Sequence, residues 1–243
     1  MRNLNRINQP IKAILFDLDG TLRFNHPNAN DVLLDQAVTL GIADNIQKRK
    51  IAARWAHYYW AQSPELYADY QEHTNDAAFW TKYIQRYLTV FGCSEVQAGE
   101  LATKLMGYMK DAYKPENRLA DEIHPTLQAL KDNGYTLGLV SNRSNPVDEL
   151  LEELGINAYF DFSFVAGDIQ IWKPKRGIFI HALNLAGSSA PNTIYVGDNY
   201  YSDVLGARNA GLIPVLYDEN DLFPEAECTI IKHISDLKTM LID

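Results

Sequence analysis

The chain has little cysteine, little excess positive charge and no long apolar run, and each shortage narrows what it does. Its two cysteines, Cys93 and Cys228, lie far apart and form no metal-binding spacing, so reduced thiols in a cytoplasm are expected. Lys and Arg number 22 against 31 Asp and Glu, a net charge of −9, and no basic run concentrates the cations. A nucleic-acid partner is therefore not expected. No apolar stretch reaches the ~18 residues of a membrane span, so no membrane partner is expected either. The opening Met1 to Gln9 is polar and lacks an apolar h-region, from which we expect no secretory signal and a cytoplasmic location. Internal repeats and low-complexity tracts are absent. What remains is a chain of 243 residues, 47% of them hydrophobic, enough for one large domain or a core with a smaller second domain.

The periodicity changes twice. Ile11 to Phe16 is an apolar run with the composition of a buried strand. From about Asp31 to Tyr113 the pattern is helical, through Val32–Val38, Ile51–Trp60, Phe79–Val90 and Leu101–Met109, punctuated by Gly41, Ser63-Pro64, Gly92 and Lys114-Pro115. Beyond Pro115 strands and helices alternate. Strands are expected at Tyr135–Val140, Phe162–Val165, Thr193–Val196, Ile213–Tyr217 and Thr229–Ile231. Helices are expected at Thr126–Lys131, Pro146–Leu154, Arg176–Leu185, Val204–Ala210 and Ile234–Leu241. That rhythm specifies a parallel sheet covered on both faces, with the helical segment inserted after its first strand.

Polar residues punctuate the strand ends, where an open α/β sheet binds its ligands. The first strand closes on Asp17-Leu18-Asp19-Gly20-Thr21. Residues i and i+2 of a strand share a face, so both carboxylates are expected side by side. Two crowded carboxylates repel, and a divalent hard cation would make the pair tolerable. Gly20 permits a sharp turn that Thr21 would hold by a local hydrogen bond. Tyr135–Val140 closes on Ser141-Asn142. Lys173-Pro174 precedes the helix beginning near Arg176. Thr193–Val196 closes on Gly197-Asp198, with Asp203 five residues on.

These four elements, in this order, resemble the four motifs of the haloacid dehalogenase-like (HAD) hydrolase superfamily, over Lys12 to Thr21 and Ile123 to Leu216. The resemblance implies an α/β fold: a Rossmann-like three-layer parallel-sheet core over residues 1–23 and 115–243, with an inserted α-helical cap over 24–114. It implies a phosphatase of a small phosphorylated metabolite. Asp17 would be the nucleophile, forming an aspartyl-phosphate, and Asp19 the general acid and base. Ser141, the backbone amide of Asn142 and Lys173 would hold the phosphoryl oxygens. Mg²⁺ would be held by Asp17, the backbone carbonyl of Asp19 and Asp198, with Thr21 and Asp203 in support. The chemistry suits such a set: an anionic nucleophile must approach an anionic phosphate, and a metal and a lysine offset that repulsion.

Asp19 argues against dehalogenation, which has no leaving alkoxide to protonate. A phosphomutase keeps both aspartates and stays open, as does a non-catalytic protein that binds a phospholigand. In the inserted segment the aromatic residues Trp55, Tyr58, Tyr59, Trp60, Tyr67, Tyr70, Phe79, Trp80, Tyr83, Tyr87 and Phe91 read mainly as its own core. Arg54, His57, His73, Lys175, Arg176 and Arg23 are the remaining candidates for substrate contact. Oligomeric state is open.

Overall fold

In a computed structural model of the chain, residues 10–73 and 75–242 are described. The polar opening, Met1 to Gln9, lies outside the described residues. The chain begins with strands β1 (Ala13–Phe16) and β2 (Arg23–His26). Five helices follow: α1 (Ala29–Thr39), α2 (Ile46–Trp60), α3 (Pro64–Glu72), α4 (Asp76–Phe91) and α5 (Glu95–Ala112). Then come β3 (Glu116–Leu119), α6 (Ile123–Asp132), β4 (Thr136–Ser141), α7 (Asp148–Glu153), β5 (Phe162–Val165), α8 (Ala166–Ile169) and α9 (Arg176–Ala186). The last elements are β6 (Thr193–Gly197), α10 (Leu205–Ala210), β7 (Ile213–Tyr217), β8 (Thr229–Ile231) and α11 (Asp236–Leu241). The contacts divide the chain into two units, Met1–Phe24 with Arg118–Asp243, and Asn25–Asn117.

In the first unit six parallel strands form one sheet in the order β5-β4-β1-β6-β7-β8. The central strand, Ala-Ile-Leu-Phe, is fully buried, as a strand covered on both faces must be. Its side chains alternate between two cores. Ile14 and Phe16 join Leu137, Leu139, Ile194 and Val196 beneath α6, α7 and α11, while Leu15, Val140 and Tyr195 pack against α9 and α10. This is a Rossmann-like α/β layering. The chain steps outward from β1 through β4 to β5, returns to β6 on the other side of β1, and continues to β8. Strand order therefore reverses about β1, and the carboxyl ends beside that reversal are where ligands of such sheets bind.

The second unit is helical. Side chains of Asn28, Asn45, Ser63, Asn75 and Ser94 cap the five helices by accepting backbone N–H bonds. Tyr59, Phe79, Tyr83, Tyr87 and Phe91 are buried in its core, with Trp55 and Trp60 packed against them. Tyr70 and Trp80 remain exposed. Among the described residues one charge is buried there: Asp69, fully enclosed, accepts from Arg86 on both oxygens at 2.7 and 2.8 Å and from Tyr59 Oη at 2.9 Å.

Local features depart from the sequence expectation, among them the following. The short strands β2 and β3 pair in a separate sheet and carry the two crossings between units. Their sequences, Arg-Phe-Asn-His and Glu-Asn-Arg-Leu, have no apolar alternation to announce them. The helix expected from Pro146 begins only at Asp148. The one expected from Val204 is preceded by a π-helical turn, Tyr200–Val204, which places Asp203.

Candidate active site

β1 ends where Asp17 N–H continues its ladder to Val196 O at 2.9 Å, fixing Asp17 at the lip of the sheet. The chain then turns sharply, with Leu22 and Arg23 both donating N–H to Leu18 O at 3.0 and 2.9 Å. Gly20 is required twice over: its φ is +87°, and a Cβ there would lie 2.5 Å from Asp198 Oδ2. Thr21 ties this turn to the end of β6. Its hydroxyl accepts from Asp198 N–H at 3.0 Å and donates to Asp198 Oδ1 at 3.3 Å.

Lys173 is the centre of the buried charge. Only 1% exposed, its Nζ lies 2.6 Å from Asp17 Oδ1, 2.8 Å from Asp203 Oδ1, 2.9 Å from Tyr195 Oη and 3.2 Å from Val140 O. Burial works against an ammonium here, but Asp17 and Asp203 overrule it and hold Lys173 well above the ordinary lysine range. Asn142 holds the backbone of this lysine rather than the air above it. Its side chain accepts from Lys173 N–H at 2.7 Å and donates to Lys173 O at 3.0 Å. Ser141, buried at the end of β4, accepts from Arg143 N–H at 3.3 Å.

Asp203 reaches the cluster from the π-helical turn, a device common at functional sites. Asn199 opens that turn by accepting N–H bonds from Tyr201 and Ser202, both at 3.0 Å, and its own N–H donates to Asp203 Oδ2 at 2.9 Å. Carboxylate oxygens of Asp17, Asp198 and Asp203 all lie within 4.8 Å of one another. Burial pushes the Asp17 carboxyl up to about 7 against the pull of Lys173, with Asp203 adding to the rise. Burial, then Asp17 and Asp203, hold Asp198 well above the usual carboxylate range. Two buried carboxylates, Asp17 and Asp203, and the half-buried Asp198 thus gather about one ammonium, an excess of negative charge with all-oxygen donors. That donor set fits Mg²⁺, a hard cation bound through one or two carboxylates.

Asp19 stands apart. Its carboxylate, 37% exposed, accepts from Arg143 Nε at 2.6 Å, Arg143 Nη2 at 2.7 Å and Arg23 Nη1 at 2.9 Å. The expectation that a shared cation settles the Asp17–Asp19 pair is therefore revised for its side chains. Two guanidinium groups neutralise Asp19, and the carboxylates that crowd Asp17 come from β6 and the turn after it.

Residues 11–211 match the sequence pattern of the haloacid dehalogenase-like hydrolases. The chain belongs to this family. It is similar to haloacid dehalogenase-like hydrolase domain-containing protein 3 of Danio rerio, 25% identical over 216 residues that cover 87% of each chain. It is also similar to a ribulose-1,5-bisphosphate 5-phosphatase of Halopiger xanaduensis, 28% identical over 86% of this chain and 85% of that one. In fold it resembles the HAD-hydrolase YfnB of Bacillus subtilis, a structure bound to magnesium, with a TM-score of 0.59, 21% identity and coverage of 97% and 100%. The chain is thus a hydrolase with the α/β core of that family.

Of the residues singled out in this hydrolase's sequence, Asp17, Lys173, Asp198 and Asp203 converge, with Thr21, Ser141 and Asn142 holding the surrounding backbone. Lys175 and Arg176 are exposed at the start of α9 and do not join them. Arg54, His57 and His73 belong to the helical unit. Sequence reading missed Arg143 and Tyr195. Arg143 adjoins Ser141-Asn142, so a cation next to a phosphate-binding pair was the available signal. Tyr195 lies within β6 between Ile194 and Val196, and its position there carried no signal of a functional role.

Proposed function

We propose that this HAD hydrolase is a Mg²⁺-dependent phosphatase of a small phosphorylated metabolite, working through an aspartyl-phosphate on Asp17. One observation carries the reading. Asp17 is buried at the end of the central strand, 2.6 Å from the Lys173 ammonium and beside two further carboxylates. The phosphatase name of the Halopiger relative supports the same reaction class.

Asp17, Asp198 and the backbone carbonyl of Asp19 would hold Mg²⁺, whose chemistry is to neutralise phosphoryl oxygens and the carboxylate that approaches them. Lys173 fixes one Asp17 oxygen and leaves the other to attack phosphorus. Asp19 takes up a proton from solvent before the step and delivers it to the leaving oxygen as the phosphorus–oxygen bond to that oxygen breaks. Asp19 then takes a proton from water, which attacks the phosphorus of the aspartyl-phosphate and returns Asp17 as a carboxylate with inorganic phosphate released. Ser141 and the amide of Asn142 bind phosphoryl oxygens. By the same reading the helical unit, 25–117, corresponds to the inserted cap and sets the choice of substrate.

The test is phosphate release from p-nitrophenyl phosphate and a panel of phosphorylated metabolites, each with Mg²⁺ and with EDTA. Release that needs Mg²⁺ and is lost in Asp17→Asn is the expected result. Undiminished release by a folded Asp17→Asn variant overturns the assignment. Phosphorylated isomers in place of inorganic phosphate would make the enzyme a mutase.

A further inference from the structure

We infer that Arg143, assisted by Arg23, is a positioning residue that aims the Asp19 carboxylate at the leaving group. The inference rests on the phosphatase reading and concerns residues outside its catalytic set.

A carboxylate offers about four lone-pair sites on its two oxygens. Among the described residues three of these on Asp19 are taken by arginine N–H groups. Oδ1 accepts from Arg143 Nη2 and Arg23 Nη1, and Oδ2 accepts from Arg143 Nε alone. One site remains, on Oδ2. The fork of Arg143 fixes the plane of the carboxylate, because two parallel N–H···O bonds define an orientation that a single bond cannot. Arg23 closes the second position on Oδ1. Proton transfer is thereby assigned to Oδ2, in one direction.

Arg143 is itself anchored on both backbone groups. Its N–H donates to Ser141 Oγ at 3.3 Å, and its carbonyl accepts from Gly167 N–H at 3.0 Å. A Cβ at Gly167 would stand 2.0 Å from Ser144 O, so glycine there allows α8 to approach the loop that carries Arg143. Arg23 owes its place to the turn that closes on Leu18 O and brings residues 19 and 23 together. Rigid support of this kind is what a group needs to deliver a proton at a defined point. A surface ion pair would need none of it, and isolated exposed pairs contribute little to stability.

The test compares two aryl esters of similar shape. p-Nitrophenolate is a weakly basic leaving group and departs with little help, whereas phenolate needs a proton. Proton donation is worth roughly 10²–10⁴ in rate. In Arg143→Met we expect kcat/KM to fall by about 30-fold or more on phenyl phosphate but only a few-fold on p-nitrophenyl phosphate. Arg143→Lys, which keeps the charge without the fork, should recover only part of that difference. Arg23→Met should show the same asymmetry, smaller. Asp19→Asn sets the ceiling for it. Equal losses on both esters, or none, overturn the proposal, since a structural or phosphate-binding arginine would not distinguish leaving groups. Should Arg143→Met fail to fold, Arg143→Lys and Arg23→Met decide alone. Activity retained by Asp17→Asn, or a wild type inert towards both esters, overturns the phosphatase reading and this inference with it. An asymmetric loss in Asp19→Asn without one in the arginine variants overturns this inference only.

Discussion

Replacing Lys173 by methionine should destabilise the α/β unit more than any other single loss of a polar group at the site. The ammonium lies 2.6 Å from Asp17 and 2.8 Å from Asp203, both buried. At an effective dielectric of 20, each pair is worth about 6 kcal/mol of gross attraction. Burying the ammonium costs several kcal/mol in return, and removal of one partner from a buried pair typically leaves a net loss of about 3–5 kcal/mol. Methionine also leaves Tyr195 Oη without the N–H donor it accepts from, while Val140 O keeps the hydroxyl bond of Tyr195 at 3.1 Å. The loss should depend on pH. Without the cation, the three carboxylates can escape only by taking up protons, which becomes harder as pH rises. The difference from wild type should therefore be smaller near pH 5 than near pH 8. Urea unfolding followed by far-ultraviolet circular dichroism, in EDTA at several pH values, measures it. A loss below about 1 kcal/mol, or one that does not change with pH, would refute the claim that Lys173 is what holds the buried carboxylates together.

Wild-type stability in EDTA should fall as pH rises from about 4 through 7. Asp17 stands at about 7 when folded against 3.8 unfolded, so its contribution is present below the lower value and lost through the upper one. Mg²⁺ should restore the loss above pH 7 and do little near pH 4; thermal melts with and without the ion check this, and equal stabilisation at both pH values would count against a carboxylate metal site. Gly20→Ala should cost about 1–3 kcal/mol through its φ of +87° and its clash with Asp198, and should weaken stabilisation by Mg²⁺; an unchanged melt in both conditions contradicts it. In the helical unit, Arg86→Met strips Asp69 of its charge partner and should cost about 3 kcal/mol, recovered in part by adding Asp69→Asn; a melt unchanged from wild type would show that the pair is not needed.

How far the sequence carries depends on what kind of signal each residue sends. The parallel sheet was legible because its strands are apolar runs closed by polar residues; Asp17, Ser141 and Asp198 were legible as those closures, and Lys173 as the lysine just before α9. Partners chosen across the fold leave no such trace. Nothing in the spacing of Asp19 and Arg143, 124 residues apart, announces a bidentate pair. Tyr195 looks like one more buried strand residue until its hydroxyl is found on Lys173. The π-helical turn that aims Asp203 inserts a backbone irregularity that a helical period cannot encode. Strand alternation foresees Asp17 and Asp19 side by side in one environment, but the turn that begins at Leu18 separates them. Asp17 goes inward to an ammonium; Asp19 stays half-buried between two guanidinium groups. Two chemically identical residues two positions apart thus acquire different partners, exposure and freedom of rotation. A nucleophile must be held still and desolvated, while an acid–base group must face the leaving oxygen and then water. The division of labour proposed for the two aspartates is built by their partners, Lys173 for one and Arg143 with Arg23 for the other.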